Sequence, residues 1–191
     1  MESTNGGANR MDQAELREKT ERLARMLKSV KLDAVLLNAQ HNFAWFTGGG
    51  NNGVDNSSMN GVASLLVTRV GERFLLANDI EMPRMLDEEV SPFDFTPVPF
   101  AWVEERLRDA LIKKAHILLG GKGSIGSDVA MGGSEAAIDS AIAHCRSSLT
   151  APERDRYRLL GRDAGIAVRN AIVQFQPDET ERAIAERLRH E

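Results

Sequence analysis

Ala34-Val35-Leu36-Leu37 is an apolar run with no polar residue in alternation. A strand of that kind has no face to give to water, so it must lie inside a sheet that is covered on both sides. Candidate covering layers flank it. Before the run, Leu16, Leu23, Met26, Leu27 and Val30 recur at helical spacings among Lys, Arg and Glu, which predicts an amphipathic helix over Asp12–Val30. After it, Val62–Thr68 and Arg73–Ala77 read as strands joined by the tight turn Val70-Gly71-Glu72, and strands so closely joined are antiparallel. Ser124–Asp128 reads as a further short strand. Helices are expected over Glu81–Glu88, with Pro83 near the start, over Val103–His116 and over Ser134–Cys145. Ser91–Phe100 holds three prolines and reads as an edge strand or an extended link. Helix–strand–helix segments beside a hairpin make residues 14–146 an α/β domain with a mixed sheet.

Two segments around this core read as irregular. Residues 1–13 are expected to form a flexible polar tail. Ala39–Gly53, continued by the polar stretch Asn51–Asn60, is expected to be a loop with a short helical piece. Its three consecutive glycines, Gly48 to Gly50, predict more mobility than in the strands it joins.

The pattern changes at Thr150. Thr150-Ala151-Pro152-Glu153 matches a capping box with proline in the first turn, and Tyr157, Leu160, Ala164, Ala167 and Ala171 continue at helical spacings. A long helix over Pro152–Gln174 follows, then a break at Gln176-Pro177-Asp178 and a last helix capped by Asp178 or Thr180. Residues 150–191 are too few for a domain of their own, so they are expected to be the start of a second domain that continues beyond Glu191.

Composition removes several function classes. The chain of 191 residues carries 24 Lys and Arg against 28 Asp and Glu, a net charge of −4, and no basic excess points to nucleic acid. The single Cys145 excludes an internal disulfide and a cysteine-cluster zinc site, and one thiol suits a reducing cytoplasm. No run approaches the ~18 apolar residues of a membrane span, and the N-terminal residues lack the apolar core of a signal peptide.

No motif assembles a catalytic site. Gly48-Gly49-Gly50 is followed by a polar stretch rather than a helix, and Gly120-Gly121-Lys122-Gly123-Ser124 lacks P-loop spacing and precedes a strand, so both read as turns. His41, His116, His144 and His190 form no His-x-x-x-His pair. His41, after the buried strand, is open to two readings, a hydrogen-bonded loop residue or a site residue, and the first is favoured. The carboxylates are scattered and read as solvated faces, and Cys145 reads as a buried small hydrophobe.

Asn42-Phe43-Ala44-Trp45-Phe46-Thr47-Gly48 resembles the Asn-x-x-aromatic-x-Thr/Ser-Gly stretch of the creatinase, prolidase and aminopeptidase P family. Around it, Leu32–Leu37, Leu65–Glu72, Phe74–Ala77 and Glu81–Arg84 are similar to that family's N-terminal domain. Leu149–Glu153 through Gln176–Glu181 resembles the opening of its pita-bread catalytic domain. The resemblance implies a ribonuclease H-like, mixed-sheet domain followed by the first two helices of an incomplete pita-bread α+β domain. It implies the front part of an Xaa-Pro-type metallopeptidase acting on peptides and homodimeric; with the composition above, it is expected to be cytoplasmic, with no nucleic-acid or membrane partner. It further implies two divalent metals, manganese or cobalt, held by two Asp, one His and two Glu downstream of those helices. No catalytic or metal residue is therefore expected within this chain. The domain's implied roles are dimerisation and control of substrate access, with His41, Asn42, Trp45 and Phe46 in the access loop; Ala44 stands where several relatives carry Arg or another polar residue. The alternative is a stand-alone, non-catalytic dimerisation or recognition module.

Overall fold

A computed structural model describes residues 12–55, 57–90, 94–106, 109–133 and 135–190. Most of the tail expected over residues 1–13 lies outside these; Asp12 and Gln13, its last two residues, are the N-cap and first residue of a helix. The apolar run becomes β1 (Ala34–Ala39), buried at every position. Val35 and Leu37 enter one core, and Ala34 and Leu36 enter another on the opposite face, which is the two-sided burial the sequence demands.

β1 is flanked by β2 (Asn60–Thr68), antiparallel, and by β5 (Ile125–Ser127), parallel. β3 (Arg73–Asn78) pairs antiparallel with β2, and β4 (Thr96–Phe100) pairs parallel with β3. With β6 (Ala136–Ala137) beside β5, the order is β4-β3-β2-β1-β5-β6, and β2 alone of the six runs against the rest. Pro97 and Pro99 stand in β4, the edge strand the prolines predict. The Phe100 carbonyl accepts from Asp79 N on the β3 side, so by alternation the two prolines place their missing N–H positions on the open side.

One face of the sheet is covered by α1 (Gln13–Val30), α2 (Gln40–Thr47), the turn Met82–Glu89 and α5 (Asp139–Ser147). The turn begins as a short α-helix, α3 (Met82–Arg84), and ends as a π-helical segment. The other face is covered by α4 (Ala110–Leu118), which packs Ile112 and Ala115 on Leu36, Leu66 and Leu76.

The short helical piece expected after β1 is α2. Two expectations shift. The helix expected over Val103–His116 is a 3-10 turn, Trp102–Arg106, and then α4. Trp102 N donates to the Asp79 carboxylate and Ala101 N to that of Glu104, within the turn. Ala136 and Ala137, expected in a helix, form β6, because the open edge of β5 takes their backbone groups. Glu135, just before them, accepts from Met131 N at 2.6 Å and Gly133 N at 2.9 Å, which turns it back into the preceding loop. Tertiary pairing overrides the helix propensity of alanine here.

A second compact unit begins at Leu149. Its helix α6 (Ala151–Val173) starts with a complete capping box between Thr150 and Glu153. α7 (Glu181–His190) follows, and Thr180 Oγ1 accepts from Ala183 N as its cap. No helix among the described residues is long and apolar enough to cross a membrane.

Within the first unit, α1 carries a buried charge. Lys19 is fully buried; its Nζ lies 2.8 Å from the buried Glu15 carboxylate, donates to the Trp45 carbonyl at 2.6 Å and sits 5.7 Å from the Trp45 ring centroid. Removing one partner of a buried pair strands the other charge. Lys19→Met is therefore expected to lower unfolding free energy by about 3–5 kcal/mol, and Glu15→Leu/Lys19→Met to cost clearly less. Urea unfolding of both variants checks this; equal losses would remove the buried charge as the cause.

Candidate functional site

Strands β1, β3, β4, β5 and β6 all end at one edge of the sheet, and β2 starts there. In α/β sheets the carboxyl ends of parallel strands are where ligand sites form. β1 lies between an antiparallel and a parallel neighbour, so its carboxyl end is where the sheet changes direction.

α2 starts at this edge, and its N-cap residue Ala39 has no capping side chain. The cap arrives from β5 instead. Asp128 Oδ1 accepts from Asn38 N at 2.9 Å, and its Oδ2 accepts from Ala39 N at 3.0 Å and from Asn42 Nδ2 at 2.9 Å. A carboxylate suits the positive end of a helix, and here it also ties β5 to the start of α2. The sequence marks Asp128 only as the end of a strand; its capping role depends on parallel pairing between segments some 90 residues apart.

Three asparagines pack behind this cap. Asn38 Nδ2 donates to Gly61 O at 2.9 Å and Ser64 Oγ at 3.0 Å. Asn52, fully buried, donates through Nδ2 to Asn38 O at 2.9 Å and Ala63 O at 2.7 Å. The amide oxygens of Asn42 and Asn52 are buried without a protein partner. A Cβ on Gly61 would lie 2.0 Å from Asn52 Nδ2, so that position accepts glycine alone.

The glycine stretch is held in the same way. Gly48 caps α2 with φ +78°, Gly50 N donates to Thr47 Oγ1 at 3.0 Å, and Asn51 N donates to the Glu89 carboxylate at 2.6 Å. The loop expected to be mobile is therefore tied to α2, to the segment after β3 and, through Asn52, to the strands.

Of the four access-loop residues, only His41 has an exposed side chain. Asn42, Trp45 and Phe46 are buried on the inner side of α2: Asn42 bonds Asp128, the Trp45 carbonyl receives Lys19, and Phe46 meets Phe95 edge-on at 6.2 Å. The aromatic spacing of the motif is the buried stripe of a short helix. His41 is the member left facing solvent.

Other candidates are turns or inert groups. Gly120 and Gly121, both with positive φ, bond back to the Ile117 and His116 carbonyls and close α4. Cys145 is half-buried at a groove between α1 and α5, beside Arg22, Arg25 and Met26. Burial pushes its thiol above the usual range, against the pull of Arg22 and Arg25. The described residues hold no group of three His, Cys, Asp or Glu that could bind a metal. The edge can thus position backbone and present a surface, and it assembles no nucleophile–base pair.

A protein-family model described as the creatinase/prolidase N-terminal domain matches residues 19–129, more than half of the chain. The fold is similar to part of an Xaa-Pro dipeptidase from Bacillus anthracis, at 14% identity and a TM-score of 0.65 over 91% of this chain and 47% of that one. A prolidase from Pyrococcus horikoshii OT3 gives 19% identity and 0.64 over 91% and 47%. An X-Pro aminopeptidase from Thermotoga maritima MSB8 gives 16% and 0.59 over 90% and 48%. The chain spans about half the length of these structures. No curated protein matches its sequence.

Two measurements check the site geometry. Gly61→Ala is expected to destabilise the first unit by about 1–3 kcal/mol, since it displaces the Asn52 amide from two carbonyls; an unchanged melting temperature would show that Asn52 does not hold the loop. The Cys145 thiol is expected to react with a disulfide reagent more slowly than free cysteine at neutral pH, because its raised pKa leaves little thiolate. Its rate should climb as pH passes the ordinary value of about 8.5, and the difference should vanish in denaturant.

Proposed function

Because the chain belongs to the creatinase/prolidase N-terminal domain family, we propose that it is the amino-terminal part of an Xaa-Pro-type peptidase. One observation carries the reading. The shared fold covers about nine-tenths of the chain, so it runs past the family domain at residue 129 into α6. On this reading α6 and α7 are the opening helices of the pita-bread domain, and residues 14–146 serve dimerisation and substrate access. His41 is the access residue, held at the carboxyl edge by the cap that Asp128 puts on α2. The reacting groups belong to the rest of the enzyme. A pair of divalent metals needs converging carboxylates and histidine. The described residues offer no such set and so do not fit it. The single unpaired thiol supports a reducing compartment, the cytoplasm.

The reading is tested in the coding frame past Glu191. The expected finding is about 200 further residues, one more domain in size, with two Asp, one His and two Glu. Their complete product should hydrolyse Xaa-Pro dipeptides and lose activity to a chelator. A stop codon directly after Glu191 would instead assign the chain to the stand-alone recognition reading. The 191-residue chain alone is expected to hydrolyse no Xaa-Pro dipeptide with or without added manganese; chelator-sensitive turnover by the pure chain would overturn the division of labour.

A further inference from the structure

A groove in the first unit stands apart from the carboxyl edge. It runs between the second half of α1 and α5, and its volume of about 540 Å³ takes a molecule of metabolite size. Every residue that lines it precedes Leu149, so the groove is complete within the first unit. Its floor is apolar: Met26 from α1 is buried in the core, and Ala141 and Cys145 from α5 pack against that core. Its polar side chains are Arg22, Arg25 and His144, with the hydroxyls of Ser29 and Ser148. Among the described residues no carboxylate lines it.

The carboxyl end of α5 would repel an anion here, because the last carbonyls of a helix are unpaired and negative. Arg22 covers them. Its Nη1 donates to the carbonyls of Cys145, at 3.4 Å, and of Ser148, and its Nη2 donates to Glu18. Arg22 is thus spent on holding α5 to α1, whereas Arg25 and His144 are not. Both are exposed. Glu21 comes no closer to Arg25 than 3.8 Å, and the His144 ring has no hydrogen-bond partner among the described residues. The charges that bear on the Cys145 thiol are those of Arg22 and Arg25, both drawing it toward its anionic form against its burial.

We propose that the α1–α5 groove binds a small molecule that carries two negative charges, as carboxylates or as a phosphate, on an apolar body. Arg25 and a ring N–H of His144 bond the charged groups, and Met26, Ala141 and Cys145 take the body. The site is independent of the peptidase reading and stands or falls without it.

Alkylation of Cys145, the single thiol of the chain, by uncharged iodoacetamide reads occupancy of the groove. At constant pH and ionic strength, phthalate and phenyl phosphate represent the two sources of charge, and benzamide supplies a similar ring without it. A saturable slowing of alkylation by at least one of the two anions is expected, and none by benzamide; the anion that protects at lower concentration identifies the charged group. Calorimetry on Cys145→Ser should return a similar dissociation constant, since the thiol reports on the ligand and makes no polar bond to it. Arg25→Glu and His144→Asn should each raise that constant by about tenfold, one decade per 1.4 kcal/mol, and leave the melting temperature unchanged because both side chains are exposed. Alkylation indifferent to both anions, protection by benzamide as strong as by the anions, or variants that bind as the parent does would each overturn the proposal. In the longer product sought above, a Cys145 closed to iodoacetamide before any anion is added would overturn it as well, because the rest of the chain would then fill the groove.

Discussion

A positive charge sealed inside the first unit fixes the helix that carries the family motif. Lys19 reaches from α1 to the Trp45 carbonyl in the last turn of α2, where the helix dipole is negative, and Glu15 neutralises it. At the other end of α2, the Asp128 carboxylate meets the positive pole. The helix is thus held at both ends by charges from other parts of the chain, and Phe43 and Phe46 pack between them in the core. Everything after α2 inherits that placement, from the Gly48 cap to Asn52 and the start of β2.

The sequence reveals elements whose signals are local. β1, α1, the β2–β3 turn, the proline-marked edge and the Thr150 capping box each follow from spacing or from residues within a few positions. What escapes is pairing at long range. Lys19 and Glu15 stand where an amphipathic helix is expected to put solvated charges, and only their meeting with Trp45 explains their burial. Asn52 looks like one more polar residue in a polar loop until it is seen bridging Asn38 and Ala63. Ala136 and Ala137 favour helix until the edge of β5 claims them. The segment after β1 is legible as a candidate position, whereas the burial of Asn42, Trp45 and Phe46 is not, because it depends on β5 and α1 packing against α2.

The two faces of the sheet and its carboxyl edge divide the work of the first unit. The faces bury aliphatic and aromatic side chains against helices. The edge collects amide and carboxylate groups, and these are spent on holding backbone. Such an edge is a platform suited to setting where another surface sits.

The distance in sequence between the two neighbours of β1 has a consequence for synthesis. β2 begins 21 residues after β1 ends, whereas β5 ends the wait only after some 86 residues, from Ala39 to Ile125. At about 5–20 residues per second that interval is roughly 4–17 s on the ribosome. A nascent chain can close β1, β2 and β3 into a meander early, with one flank of β1 open and strongly apolar. The prolines of β4 silence the far flank when it arrives, but nothing equivalent guards β1. This open strand is the apolar edge that a nascent chain leaves uncovered longest.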